Sequence, residues 1–407
     1  MTIFKFLNLF SGVFVTTILN NIKHPYRIIG ILAFGLFGII CTEIGLIGIL
    51  PSIARNFHIG MDKAGILISV FAMTVAIAGP FMTLLFSHLN QKRILYGSMI
   101  IFVISNFVSV ITPNFTLLFI ARIFPAFFHP IYISVALSIA QKCLPPEKRA
   151  KASSLVFMGF TIAMVFGIPF SAFLSNALSF RWAFVFYLSV NFCASLLILL
   201  SFPPFPDPLK ISFREQFAIL KKPEVWFNIF TSCFLVAGMF ATYSYFSTYL
   251  ENISHMNALE ISIMLTVFGF TGVLGNNKIG NVVTPSNLRK SMFYYILAFI
   301  VLYIAIFYLS SFTMMMMVIV TIWGAVQNGG IPISQLWCTH NALEAPEFSN
   351  SLFVSFSNWG ITIGSFIGGI VLTHFGLLAL NIMGIIFFVI AMAFYFLSIL
   401  VVKQKIS

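Results

Sequence analysis

Charge is what this sequence has least of. Ten acidic and 22 basic side chains serve 407 residues, 8% in all, against 60% hydrophobic residues and a mean hydropathy of +1.03. A soluble domain carries roughly 25% charge. So few charges cannot cover a water-facing surface, which excludes a soluble globular protein and leaves a polytopic membrane protein. The apolar runs are long and many. That excludes a β-barrel, whose strands alternate over about 10 residues.

Other signals are missing as well. The five cysteines, Cys41, Cys143, Cys193, Cys233 and Cys338, lie in or at the ends of apolar runs with no CxxC spacing, which argues against a disulfide frame or a metal site. There is no G-x-S-x-G, no GxxxxGK[ST] and no H-E-x-x-H, so the sequence reads as a non-enzyme without cofactor or metal, not driven by ATP bound to this chain. A net charge of +12 would suggest a nucleic-acid partner in a soluble protein. Here it reads as a bias of loop charge, with no nucleic acid implied.

What is present is a series of about twelve apolar stretches, each near the ~20 residues a bilayer needs: 28–50, 65–87, 94–111, 115–141, 152–175, 182–202, 226–250, 260–282, 291–311, 313–338, 350–373 and 377–401. With the N-terminus in the cytoplasm, Lys23, Arg27, Lys92, Arg93, Lys142, Lys148, Arg149, Lys151, Lys210, Arg214, Lys221, Lys222, Lys278, Arg289, Lys290, Lys403 and Lys405 fall inside, and only Arg55, Lys63 and Arg181 outside. This satisfies the positive-inside rule and places both termini in the cytoplasm. The expected fold is an all-α membrane protein of twelve transmembrane helices in two six-helix bundles. Its expected parts are an N-terminal segment 1–27, a bundle 28–202, a proline-rich cytoplasmic linker 203–225, a second bundle 226–402 and a tail 403–407. Two six-span halves joined by a linker is a layout of repeat-built transporters. Ile3 to Leu19 is apolar but short and contains Lys5, which suggests an interfacial helix. No small-residue cleavage site marks a signal peptide.

Glu43 is alone as a charge between Ile28 and Leu50. Ionisable residues within spans are costly and functional by default. The nearest candidate partner is Arg122. Span 1 runs outward and span 4 inward, and at ~1.5 Å per residue both side chains lie ~10–12 Å below the outer surface. Matched depth permits an ion pair. Burial disfavours a charged carboxyl and a neighbouring arginine favours it, so a gate that changes either would load or release a proton. The alternative is a static pair that fixes helix packing. His129 lies seven residues beyond Arg122, two turns deeper on nearly the same face. It could relay protons, hydrogen-bond a substrate, or simply bond a neighbouring helix.

Small residues repeat at helical spacing: Gly159, Ala163 and Gly167 before Pro169, then Gly269, Gly272 and Gly275, then Gly360, Gly364 and Gly368. Such stripes let helix backbones approach closely. Candidate substrate contacts are Asn106, Tyr243, Tyr245, Tyr249, Trp323, Gln327, Asn328, Gln335, Asn358 and Trp359, of which Gln327 and Asn328 beside Gly329 and Gly330 are favoured. Rings and amides suit a sugar, a nucleobase or a planar drug. Tyrosines and tryptophans near span ends also form interfacial belts.

Several segments together resemble the major facilitator superfamily, in its twelve-span drug/proton antiporter group. They are Thr42-Glu43-Ile44-Gly45 continuing to Gly48-Ile49-Leu50-Pro51, Ala121-Arg122 with His129-Pro130, Leu144-Pro145-Pro146-Glu147-Lys148-Arg149-Ala150, Gly167-Ile168-Pro169, and Phe180-Arg181-Trp182-Ala183-Phe184. The nearest look is that of bacterial sugar (arabinose-type), nucleoside and drug efflux permeases. The resemblance implies a monomeric, proton-coupled exporter of a small organic solute in the bacterial inner membrane, with only protons, solute and lipid as partners. Sugar-like metabolites come first, then nucleosides or hydrophobic drugs. Uptake of the same solutes and a non-transporting receptor or scaffold are the rivals. It also implies that spans 5 and 8, and 2 and 11, meet across the halves, which would make the glycine stripes sliding surfaces. One departure stands out. The loop Ser87-His88-Leu89-Asn90-Gln91-Lys92-Arg93 lacks the family's usual acid, which puts any gating salt bridge there in doubt.

Overall fold

The computed structural model describes residues 24–59, 61–202 and 217–404. Twelve helices are long and apolar enough to cross a membrane: Pro25–Ile49, Ile66–Phe86, Gln91–Ile111, Phe115–Cys143, Pro146–Ala177, Phe180–Ser201, Pro223–Tyr243, Leu259–Val282, Leu288–Leu309, Thr313–Thr339, Pro346–Phe375 and Ala379–Val401. They are called spans 1 to 12. No strand occurs among the described residues. The expected interfacial helix over 3–19 and most of the linker, 203–216, lie outside the described residues. The chain resumes with a short 3₁₀ turn, Ile219–Lys221, before span 7.

Buried apolar side chains form two main clusters. One draws chiefly on spans 1 to 6 and the other on spans 7 to 12. The exceptions mark where the bundles touch. Cys338, Phe348, Leu352 and Val354 of the second half join the first cluster, and Ala150 joins the second. The alternating helices bring Arg27, Lys92, Lys142, Lys148, Lys222 and Arg289 to one face, the basic face, where span 1 begins.

Spans 1, 4, 7 and 10 are all interrupted. Span 1 changes from α-helix to a 3₁₀ stretch at Gly45–Ile49. Span 4 stops at Ala126 and restarts at His129. Span 7 stops at Tyr243, and a short helix resumes at Phe246. Span 10 stops at Gly329 and restarts at Ile331. In spans 4 and 10 the cause is Pro130 and Pro332 at the second helical position, since proline has no N–H and its ring crowds the carbonyl four residues back. Broken helices at corresponding positions of two halves point to the site a transporter works on.

Spans 5 and 8, and spans 2 and 11, do meet across the halves as the resemblance implies, but most of the glycine-stripe residues face other neighbours. A Cβ on Gly159 would meet the carbonyl of Ala33, and one on Gly167 would meet Cys41, both on span 1 of the same bundle. Gly272 abuts Asn328 of span 10, and Gly360 and Gly364 abut the carbonyls of Cys233 and Ala237 of span 7. These are packing seams within a bundle, where missing side chains let backbones touch. Of the stripe residues named, Gly269 alone looks across, onto Val165. The close approaches between bundles are made instead by Gly79 against Ser355 and by Gly280 against Ser154. Pro169 follows a π-helical turn, Ala163–Gly167, which absorbs its missing N–H.

Candidate functional site

The site is built where spans 1, 2 and 4 meet. Its rear wall is a polar cluster that pins span 1 to spans 3 and 6. The Thr42 hydroxyl donates to the carbonyl of Gly38 at 2.9 Å and accepts from Asn106 Nδ2 at 3.1 Å and from Asn191 Nδ2 at 3.0 Å. Asn191 also reaches the carbonyls of Gly38 and Tyr187. Each interhelical bond of this kind contributes about 0.6–2 kcal/mol in a membrane. Asn106, expected as a substrate contact, is fully buried and gives its Nδ2 to Thr42.

Next comes the arginine. Arg122 is fully buried. Its Nη1 donates to the carbonyl of Thr42 and its Nη2 to the carbonyl of Glu43 at 3.2 Å. The guanidinium also stacks on Phe71, 4.8 Å from the ring centroid. These carbonyls lie at the point where span 1 tightens into its 3₁₀ stretch. A planar fork with several N–H groups suits two adjacent carbonyls as well as it suits a carboxylate. The expected Glu43–Arg122 side-chain ion pair does not form; Arg122 holds the backbone of residue 43 and leaves its carboxyl free.

That carboxyl turns to His129. Oε2 of Glu43 lies 2.9 Å from Nε2 of His129, with side-chain exposures of 14% and 4%. Neither imidazole nitrogen makes a hydrogen bond of ordinary geometry. Phe71 sits between cation and imidazole, its ring edge-on to His129 at 5.9 Å between centroids. The break in span 4 puts His129 at the start of a half-helix. Glu43, His129, Phe71 and Arg122 thus form one connected unit beside the helix breaks, in which Glu43 alone keeps part of its surface open.

The remaining candidates separate. Tyr249 is fully buried, bonded to Ser310 at 2.9 Å and to Asn381 at 2.7 Å inside the second bundle. Trp323 is fully buried among Tyr243, Phe246, Phe268 and Tyr303, and its indole N–H donates to Gln327 Oε1 at 2.8 Å. Gln327 and Asn328 are buried at the span 10 break, where the Tyr295 hydroxyl caps the Gln327 carbonyl at 3.2 Å. Asn358 Nδ2 bonds the carbonyl of Val354 on its own helix, and Tyr245 bonds the carbonyl of Ser365. The structure does not bring these residues together with Glu43.

Sequence reading named Gln335 only for substrate. It bridges the two bundles at the basic face. Ser153 Oγ donates to Gln335 Oε1 at 3.0 Å, Gln141 Nε2 donates to the same oxygen at 3.3 Å, and Gln335 Nε2 reaches Asn350 Oδ1 at 2.5 Å. Asn276 Nδ2 donates to the carbonyl of Ser154 at 3.0 Å, and Ser154 Oγ returns a bond to the Asn276 carbonyl. Gln91 Nε2 contacts Glu347 Oε1. Where the loop after span 2 lacks an acid, the acid stands on the other bundle. Phe71, Thr42, Asn191 and Gln141 were missed. A polar residue in an apolar span was the available signal for Asn191, and none distinguishes Phe71 among 50 phenylalanines.

Twelve membrane helices in two clusters around four broken spans define a membrane transporter. The family model of the Major Facilitator Superfamily matches residues 32–349, and the chain belongs to that superfamily. It is 28% identical over 368 residues to the inner membrane transport protein YdhP of Escherichia coli (strain K12), covering 90% of this chain and 94% of that one. It is 29% identical over 358 residues to the uncharacterized MFS-type transporter YfhI of Bacillus subtilis (strain 168), covering 88% and 90%. Two solved structures share the fold. They are the human organic anion transporter MFSD10, with TM-score 0.74, 13% identity and coverage of 92% and 100%, and the transporter FucP in the outward conformation, with TM-score 0.73, 17% identity and coverage of 92% and 99%.

Proposed function

We propose that the chain is a proton-coupled exporter of a small organic solute, with Glu43 and His129 as the proton-carrying pair. The observation that carries this reading is the 2.9 Å approach of the Glu43 carboxylate to His129 at the breaks of spans 1 and 4. A proton taken up by the pair alters the attraction between span 1 and span 4. Arg122 keeps the carboxyl in place through backbone carbonyls, so the charge change falls on the pair and not on the anchor. The hydrogen bonds between Gln141, Ser153, Gln335 and Asn350 hold the basic face shut; alternating access would break them and close the opposite end. The basic face lies in the cytoplasm in this reading, with the protein a monomer in a bacterial inner membrane. The resemblance of Gly167-Ile168-Pro169 to the antiporter motif supports export over uptake.

Sugar-like metabolites were the first substrate class by resemblance. The buried placement of Tyr249 and Trp323, whose polar atoms bond within the second bundle, favours the second class, less polar solutes such as nucleosides or hydrophobic drugs. In inverted vesicles, addition of the solute should discharge an imposed proton gradient, and Glu43→Gln should insert normally yet fail to do so. Full gradient-driven flux by that variant sinks the coupling role. A growth-inhibition screen with pentoses, purine analogues and antibiotics chooses the solute, and absence of flux across such a panel in proteoliposomes would favour a receptor.

A further inference from the structure

Spans 1 and 5 leave a recess of about 470 Å³ between their basic-face halves, walled by Tyr26, Gly30, Phe34, Phe37, Met158 and Ile162 among others. Tyr26, Gly30 and Ile162 are exposed, so the recess opens at the protein surface. That surface lies inside the spans, where the surrounding medium is acyl chain. From Tyr26 to Phe37 the wall runs roughly 16 Å along the helix, about half of the ~30 Å hydrocarbon core, which is the depth of one leaflet.

The mouth of the recess carries charge. Lys151 Nζ lies 5.6 Å from the ring centroid of Tyr26. No carboxylate lies within ion-pair distance of Lys151 among the described residues. Arg27 follows Tyr26 on span 1, and Lys148 and Arg149 lead into the helix that holds Lys151. The backbone at Lys151 also lies against Gly280 of span 8, so this corner is shared by both bundles.

We propose that this recess binds one anionic diacyl phospholipid, with an acyl chain between spans 1 and 5 and the phosphate at Lys151. The walls are apolar over one leaflet's depth, and the rim offers cations together with an amphipathic tyrosine, the arrangement that suits an anionic headgroup. A zwitterionic lipid satisfies the walls and not the rim. The site does not depend on the transport reading.

The test uses the full chain in mixed micelles with equal phosphatidylglycerol and phosphatidylcholine, and native mass spectrometry to count retained lipid. The wild type should retain phosphatidylglycerol in preference. Lys151→Gln should lower that preference by about fivefold, the weight of one lysine at an anionic surface. Gly30→Leu should lower retention of both lipids. A Cβ at Gly30 meets nothing within 4 Å, so the larger side chain enters the recess without disturbing the helix. Unaltered melting and size-exclusion profiles verify that both variants fold. Equal retention of the two lipids by the wild type, or no change in either variant, overturns the proposal. So does a rise in retained lipid on deleting residues 1–22, which would give the recess to the chain's own N-terminal segment.

Discussion

Glu43 and Arg122 share a bond, but through the backbone. The guanidinium donates to the carbonyl of Glu43 at 3.2 Å while the carboxylate of the same residue lies 2.9 Å from His129. One residue thus presents a fixed group to the arginine and a titratable group to the histidine. This division separates holding span 1 in shape from changing its charge, and the variants below act on one or the other.

His129→Gln should keep the Arg122 contacts and the fold, because glutamine is close in size and the histidine nitrogens make no other hydrogen bond. Gradient-driven transport should fall to background, and the pH dependence of any residual flux should differ from that of the wild type. Measurement of flux against pH in proteoliposomes checks this; an unchanged profile removes His129 from the proton path.

Arg122→Lys retains the charge and loses the fork. A single ammonium cannot serve the carbonyls of Thr42 and Glu43 and the face of Phe71 together. Hydrogen bonds to charged groups contribute about 1.5–3 kcal/mol each, so one lost bond should show as a clear drop in melting temperature in detergent. Transport should fall as the 3₁₀ stretch loosens. A variant that melts like the wild type would show that the carbonyl contacts contribute little.

Gly364→Val should destabilise by about 1–3 kcal/mol, because the new Cβ lands on the Ala237 carbonyl of span 7. Gly97→Ala is the control. Its Cβ meets nothing within 4 Å, and alanine in a helix interior is favoured by up to about 1 kcal/mol over glycine. Thermal melts of the two should move in opposite directions.

Gln335→Ala should unlock the basic face. Gln141 Nε2 keeps its bond to Ser153 Oγ at 2.9 Å, but the Ser153 hydroxyl proton and Asn350 Oδ1 lose their partner, at about 1–3 kcal/mol for each buried group left unpaired. Cys143 is 4% exposed at the basic-face end of span 4. Its alkylation by a maleimide should speed up severalfold in the variant. An unchanged rate would mean that these hydrogen bonds are not what keeps the face closed.

Much of the architecture was legible because a bilayer imposes a simple rule: each span must be apolar for about 20 residues. The twelve predicted stretches match the twelve helices to within a few residues, with two exceptions: the basic-face end of span 5, where Pro146–Lys148 and Arg149 already begin the helix, and span 7, expected to reach residue 250 but ending at Tyr243, with a separate short helix from Phe246. Glu43, Arg122 and His129 were also legible, since charge in an apolar run stands out. Their pairing was not. Depth along a helix fixes which side chains can meet, but rotamer and helix breaks decide which do, and a guanidinium finds two carbonyls where a helix tightens. The glycine stripes were legible as packing seams but not as to their partners, for a related reason. Spacing shows that some helix approaches closely, and it is silent on whether that neighbour belongs to the same bundle.

Composition and periodicity alone determined a twelve-span helical membrane protein with one acid set within its apolar first span, because hydrocarbon tolerates neither bare backbone nor idle charge. Only the tertiary structure decided that the acid faces His129, that Arg122 clamps a broken helix, and that amides and a hydroxyl join the two bundles at the basic face. Those outcomes depend on which faces of distant spans come together, and each requires contacts between residues tens to hundreds of positions apart along the chain.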